Sequence, residues 1–449
     1  MPSGEWRVAS LAARLVASGL SAAEDEAKRS LFARALDALG SRAAGAPAWW
    51  VPGRIEFLGK HTDYAGGRSL LCATDRGIAV AAAPRTDKQV QIHDACSGES
   101  TEGELSAELV IPRDHWSNYP LTVCRRVARN FAGRLRGADL AFASDLPPAA
   151  GLSSSSALIV GTFRALAEAN DLEARPEYRE AIGSSEDLAG YLGAVENGQS
   201  FRGLAGDHGV GTLGGSQDHT AILCARSGAL VQYAFAPVRF EREVALPDEY
   251  VFVIAVSGVV AAKTGSAREQ YNRAAETAAA ALRVWRSATG STATTLAAAL
   301  GESPDVMSQL RGALERRNDS RFTANMLLDR VEQLRVELEI VQAAGDALAR
   351  GDLTNLGTLV DESQTNAERL LGNQVAETRS LARSARELGA AAASAFGAGF
   401  GGSVYALVRA SEADSFRGRW AKQYEKTFPS AAGGATFFTT GAGLQAKRI

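Results

Sequence analysis

Residues 146–157 read Leu146-Pro147-Pro148-Ala149-Ala150-Gly151-Leu152-Ser153-Ser154-Ser155-Ser156-Ala157 and pass without a break into an apolar, helically patterned stretch that runs to Asn170. A helix that opens from such a turn presents backbone N–H groups with no intrahelical partner, and these suit a polyphosphate. Gly151 lets the backbone come close to an anion. The serine hydroxyls can donate to phosphate oxygens or ligate magnesium, a hard cation that prefers oxygen. A serine N-cap with no ligand explains this segment equally well. The run does not fit the Gly-x-x-x-x-Gly-Lys-Ser/Thr loop, and the chain has neither a His-Arg-Asp nor an Asp-Phe-Gly tripeptide.

Two further glycine-rich runs flank it. Upstream lies Gly53-Arg54-Ile55-Glu56-Phe57-Leu58-Gly59-Lys60-His61-Thr62-Asp63-Tyr64-Ala65-Gly66-Gly67. It gathers Arg, Lys, His, Asp and Tyr, the mixture of donors and acceptors that a polyol needs, because each hydroxyl both donates and accepts. Taken alone it also reads as a solvated charged turn. Downstream, Phe396-Gly397-Ala398-Gly399-Phe400-Gly401-Gly402-Ser403 reads as a tight turn before a strand.

Around these runs the pattern predicts helices over 6–40, and short strands at 48–51 and 55–58 around a turn. Further strands are expected at 69–83, 88–94 and 139–143, a helix at 178–200, and a loop from Gly203 to Gly215. Strands are expected at 220–224, 229–235 and 250–256, and helix dominates from Ser266 to Leu388. Leu327, Val331, Leu334, Leu338, Val341 and Leu348 form a stripe suited to a bundle core. The expected fold class is α+β in two lobes: a mixed-sheet N-terminal lobe, a helix-rich C-terminal lobe and an active site between them. The expected division is a helical extension at 1–47, a first domain at 48–240 and a second at 241–449.

The 449 residues exceed what one core usually serves, and a formal charge of -3 gives no electrostatic reason to expect nucleic acid as partner. Cys72, Cys96, Cys124 and Cys224 are widely spaced, which argues against a disulfide framework or zinc site and for buried thiols in a reducing cytosol. No apolar run is long enough for a membrane span, and the start MPSGEWRVAS lacks a signal-like apolar stretch. A cytoplasmic protein is expected, as a monomer or weak dimer.

The three runs, in this order, resemble the galactokinase branch of the GHMP small-molecule kinases, whose signatures look like Gly-Arg-x-Asn-x-x-Gly-Glu-His-Thr-Asp-Tyr, Pro-x-Gly-x-Gly-Leu-Ser-Ser-Ser and Gly-x-Gly-Phe-Gly-Gly. Lesser similarities are Trp116-Ser117-Asn118-Tyr119, Val195-Glu196-Asn197, Gly214-Gly215-Ser216-Gln217-Asp218-His219, Gln270-Tyr271-Asn272-Arg273 and Asp361-Glu362-Ser363. The resemblance runs from about residue 48 to the C-terminus. It implies the two-lobed GHMP kinase fold and ATP-dependent phosphorylation of the anomeric hydroxyl of galactose or a similar sugar. It implies Asp218 as catalytic carboxylate with Arg54 beside it, and Lys60, His61, Asp63, Gly215 and Tyr271 as sugar contacts. It also implies Gly151, Leu152, Ser153, Ser154, Ser155 and Ser156 as the ATP-binding turn, and Ser155 and Glu196 as Mg2+ ligands. Glu196 also reads as an ordinary exposed helical residue. A non-catalytic sugar and ATP sensor is the alternative from another class.

The departures carry information. Lys60 stands where the family has Glu, and Glu56 where it has Asn. An ammonium only donates, so Lys60 suggests a substrate with a carboxylate, such as galacturonate. A private Glu56–Lys60 pair is the equal alternative. Ala149 replaces a glycine, which restricts the backbone unless φ stays negative. Gln217 and His219 replace the residues flanking Asp218. The segment between Glu196 and Asp218 is longer than usual, and Gly203–Val210 is expected to form a flap over the sugar.

Overall fold

Strand β1 (Ala48–Leu58) is buried at every position and runs antiparallel to β2 (Arg68–Pro84). The sequence suggested two short strands with a turn at Gly53; the structure has one strand with a register shift between Pro52 and Arg54. The glycine serves close approach instead of turning. A Cβ there would lie 2.7 Å from Leu146 Cδ2 and 2.9 Å from both Leu152 O and Thr74 Oγ1. The backbone N–H of Arg54 donates to Leu152 O at 3.2 Å, so β1 is bonded directly to the Gly/Ser turn.

The computed structural model describes residues 22–259, 265–315 and 321–449. Residues 1–21, which include the start of the expected N-terminal helices, lie outside this range. The strands that follow β2 are β3 (Gln89–Asp94), β4 (Ser100–Glu104), β5 (Ala138–Ser144), β6 (Ala229–Ala234) and β7 (Arg239–Ala245). A second set comprises β8 (Tyr250–Val256), β9 (Ala392–Phe396), β10 (Ser403–Arg409) and β11 (Thr436–Thr440), and the chain ends with β12 (Lys447–Arg448). The first sheet has the order β12-β1-β2-β5-β3-β4, with β6 on the other half of β2 and β7 beyond it. It is mixed, since β3 and β5 are parallel. The second sheet, β11-β8-β10-β9, is antiparallel.

The chain therefore changes sheet between Ala245 and Tyr250. A cut at residue 240 would split β7 from its partner β6, and β12 returns to pair Arg448 with Trp49, so the division expected from the sequence is not clean. The C-terminal segment makes more ties on its way back: Ala446 N–H donates to Ile222 O and Ile449 N–H to Ala48 O, at 2.7 and 2.9 Å.

The helices packed around the sheets include α1 (Ala22–Ala38), α2 (Asn118–Asn130), α3 (Ser154–Ala169), α4 (Ser185–Asn197), α5 (Gln217–Cys224), α6 (Gly265–Thr289), α7 (Ala324–Ala349), α8 (Leu353–Asn366), α9 (Ala376–Glu387) and α10 (Ala413–Thr427). The helix expected over 178–200 is two: one ends at Ala181, and Ser184 caps α4 by accepting from Asp187 N–H at 3.1 Å. Residues 220–224, read as a strand, belong to α5. A short apolar run buried throughout does not distinguish strand from helix by periodicity. The stripe on α7 is core, with Leu327, Val331, Leu334 and Val341 fully buried.

α1 packs into the first sheet, where Phe32 and Ala35 meet Trp50, Ala79, Ala81, Ala141 and Ala143. The small side chains on the sheet let the helix lie close. The two sheets join at Phe57, which stacks on Tyr405 with ring centroids 4.9 Å apart, while Tyr405 Oη donates to Phe57 O at 2.7 Å. Three of the cysteines are buried as expected, but Cys96 is exposed. Among the described residues, no helix is long and apolar enough to cross a membrane.

Candidate active site

The buried junction at Phe57 brings the end of β1 against the second sheet, and the three glycine-rich runs meet there. Arg54 Nε donates to Asp218 Oδ1 at 2.8 Å, and its Nη1 donates to Gly151 O. Ser403 Oγ donates to Ala150 O at 2.6 Å. A Cβ on Gly397 would lie 3.0 Å from Gly151 O, so only glycine lets the last turn approach the serine turn this closely. His61 Nε2 lies 3.1 Å from Ala398 O; a carbonyl only accepts, so Nε2 carries the proton and Nδ1 accepts from Tyr64 Oη at 2.9 Å.

These contacts border a cleft. Arg54, Glu56, His61 and Asp63 line it from the first run, Gly215 and Asp218 from the start of α5, and Gly397 and Ala398 from the last turn. Tyr271 of α6 and Glu196 of α4 complete the wall. Asp218 sits in the first turn of α5, where the helix dipole favours an anion. Burial opposes the Arg54 charge, but Asp218 and Glu56 more than offset this and raise its pKa. Asp63 is raised by burial, partly opposed by N–H donors that include Gln217, whose nitrogen is 3.1 Å from Oδ2. A Cβ on Gly215 would fall 2.5 Å from the same Oδ2, so this glycine is what admits Asp63. Burial also lifts the Tyr271 phenol well above its ordinary range; its ring lies 5.4 Å from that of His61.

The serine turn opens α3. Gly151 has φ +74° and Ser153 φ +61°. Ala149 also has a positive φ, +50°, a strained conformation for a side chain and the one a glycine takes freely. Ser153 Oγ is buried with no hydrogen-bond partner among the described residues. Ser156 differs from its expected place in the phosphate turn. It is fully buried and donates to Glu196 Oε2 at 3.0 Å, with Asp218 Oδ2 3.5 Å away. Glu196 is correspondingly buried, not the ordinary exposed residue its helix allowed. His219 Nε2 lies 3.4 Å from Glu196 Oε2.

Lys60 is the correction among the expected sugar contacts. It is buried, does not line the cleft, and its Nζ donates to Ser363 Oγ at 3.0 Å. Ser363 Oγ in turn lies 3.0 and 2.9 Å from the two oxygens of Glu337. Burial lowers the Lys60 pKa, opposed first by Glu337 and only then by Glu56. Neither the substrate contact nor the private pair with Glu56 describes it. The support for a substrate carboxylate goes with it.

The α7 helix was not read as part of the site, yet it fixes the first turn. The Gly59 and Lys60 N–H groups donate to Glu337 Oε1 at 2.8 and 3.2 Å. Gln333 Nε2 donates to Lys60 O at 3.1 Å, and Arg330 to His61 O. This holds His61 at φ +58°. The available signal was Arg330, Gln333 and Glu337 at helical spacing beside the apolar stripe.

The expected flap is not one. Asp207 accepts from Arg125 at 2.8 Å, Asn130 donates to Ala205 O at 2.9 Å and Asn118 to Val210 O at 3.1 Å. The loop is stapled to α2 and lines a separate groove.

Residues 40–84 match the galactokinase galactose-binding signature, 118–198 the GHMP kinases N terminal domain and 346–426 the GHMP kinases C terminal model. A galactokinase of Chloroflexus aggregans is 30% identical over 377 residues, covering 82% of this chain and 85% of that one. The chain belongs to the galactokinase family. A galactokinase of Chloroflexus aurantiacus is also 30% identical, with the same coverage. In fold, the chain is similar to Lactococcus lactis galactokinase in complex with galactose, with TM-score 0.74 at 23% identity over 92% of this chain and 100% of that one. Methanococcus jannaschii mevalonate kinase is a more distant fold relative, with TM-score 0.54 at 13% identity, 88% of this chain and 98% of that one. The galactokinase-family fold therefore has the two lobes expected. Arg54 and His61 lie in the galactose-binding signature and Glu196 in the N-terminal model, while Asp218 and Tyr271 fall between matched segments.

Proposed function

We propose that the chain is an ATP-dependent sugar kinase that phosphorylates the anomeric hydroxyl of galactose or a galactose-like hexose. The observation that carries this reading is the Arg54–Asp218 pair, 2.8 Å apart in the cleft and joined through Arg54 to the serine turn. Asp218 orients the attacking hydroxyl and accepts its proton. Arg54 holds that carboxylate in place through its Nε and counters negative charge on the transferred phosphoryl group. His61, Asp63, Tyr271 and the backbone at Gly215 hold the sugar.

The residues present fit a nucleotide triphosphate. The turn Gly151–Ser156 opens a helix of 16 residues, and the buried Ser153 hydroxyl awaits a partner. Magnesium suits the oxygen donors Ser155 and Glu196. Among the described residues there is no group of three or more His, Cys, Asp or Glu side chains that could hold a metal ion, which fits an ion carried largely by phosphates. When bound it would neutralise phosphate charge; the chain's own part is to orient Glu196 through Ser156.

ADP release measured across a panel of hexoses tests the reading, with the product located by phosphorus NMR. Turnover of galactose to a 1-phosphate is expected, and ADP release with none of the hexoses overturns it. Galacturonate is expected to be a poor substrate, because Lys60 Nζ is held by Ser363 and does not line the cleft.

A further inference from the structure

Glu56 stands in β1 two residues from Arg54, in the wall of the cleft, and is 3% exposed. Its Oε1 is sealed from solvent and has no hydrogen-bond partner among the described residues. A buried carboxyl oxygen without a partner is costly, and more so if ionised. The other acidic groups nearby are differently placed. Asp218 accepts from Arg54, Asp63 from the Gln217 backbone, and Glu337 from the 59–60 backbone. Lys60, the cation four residues on, is held by Ser363 away from the cleft. Among the described residues of the cleft wall, Glu56 Oε1 and Gln217 Nε2 are the buried polar atoms without a partner, and of the two it is the Glu56 carboxyl that stands where the family signature carries an amide.

We propose that Glu56 is a sugar-binding residue that meets a substrate hydroxyl as a neutral acid, and that it restricts the site to uncharged hexoses. A neutral carboxyl offers one donor and one acceptor, the same pair an amide offers. An ionised carboxyl loses the donor. A neutral Glu56 offers no cation to a sugar carboxylate, and Lys60, held by Ser363, does not reach the cleft to supply one. The inference rests on the proposed sugar-kinase reading of the cleft.

The charge state follows from the surroundings. Burial pushes the Glu56 carboxyl up to about 8. Arg54 and Lys60 pull it down; Asp218 and Glu337 push it up. Tyr64 and Tyr405 also face it, and burial keeps both phenols neutral in the same range. At neutral pH the acid form therefore prevails, and it is lost as pH passes about 8.

The test compares wild type, Glu56→Ala and Glu56→Gln with galactose as variable substrate between pH 7 and 9. In the wild type, KM for galactose is expected to rise about tenfold by pH 9, as the neutral fraction falls. Glu56→Gln keeps a donor and an acceptor but cannot ionise, so its KM should stay flat. Glu56→Ala should raise KM at pH 7 about tenfold or more, with kcat changed far less, the pattern of a lost binding contact. An unchanged KM for ATP reports that each variant is folded. A KM for galactose in Glu56→Ala within about twofold of wild type overturns the inference. If that variant does not fold, a Glu56→Gln profile with the wild-type alkaline rise overturns it instead. Wild type turning over galactose while these variants respond in that way sinks this inference alone. Wild type acting on no hexose sinks the kinase reading and this inference together.

Discussion

Asp218 and Lys60 show how much a single residue's meaning depends on what stands opposite. Asp218→Asn keeps the shape and removes the base. A loss of kcat of about 100- to 10,000-fold is expected, with the KM values little moved; single-turnover assays check it. Lys60→Met removes the buried ammonium that bonds Ser363 beside Glu337, and a loss of about 1–3 kcal/mol of unfolding free energy is expected by urea titration. Glu56 links charge to stability in the other direction. Its pKa is raised from 4.5 to about 8, so its contribution to stability is full below about pH 4.5 and is lost as pH rises towards 8. Relative to Glu56→Gln, wild type should lose up to about 1.4 kcal/mol per pH unit across that window. Arg54 and Asp218 were legible because ordered motifs frame both. Lys60 was not, because the hydroxyl that holds its ammonium, Ser363 on α8, lies 303 residues away, and a substitution in a motif looks the same whether its side chain turns inward or outward.

At the scale of elements, glycine placement was harder to read than glycine presence. Gly53 looked like a turn because small residues mark turns, yet here it clears space for the serine loop inside a continuous strand. Gly53→Ala should cost about 1–3 kcal/mol and lower kcat/KM, because three neighbours, one of them a backbone oxygen, must shift. Gly98→Ala makes the contrast. Its φ is +78° but nothing lies within 4 Å, so about 1–2 kcal/mol and unchanged kinetics are expected. The α7 stripe was read correctly since its period is long and sustained. The five-residue run at 220–224 was too short to separate strand from helix, and the structure instead places Asp218 in the first turn of α5.

At the scale of the molecule, two lobes were legible from strands giving way to helices, but the seam between them was not. Tyr405 looks like any strand tyrosine. In the fold it crosses to β1, stacks on Phe57 and bonds its carbonyl. Tyr405→Phe should leave that buried carbonyl unmet, costing about 1–3 kcal/mol, and should loosen the cleft; urea unfolding and the KM for sugar measure the two effects. The return of β12 to β1 has a further consequence in time. Synthesis proceeds from the N-terminus, and domains usually fold in the order they emerge. Here the strand bearing Arg54 gains its edge partner, and α5 its tie at Ile222, only after residues 446–449 have been made. The nascent chain is thus denied a finished phosphotransfer centre until residues 446–449 have emerged and docked.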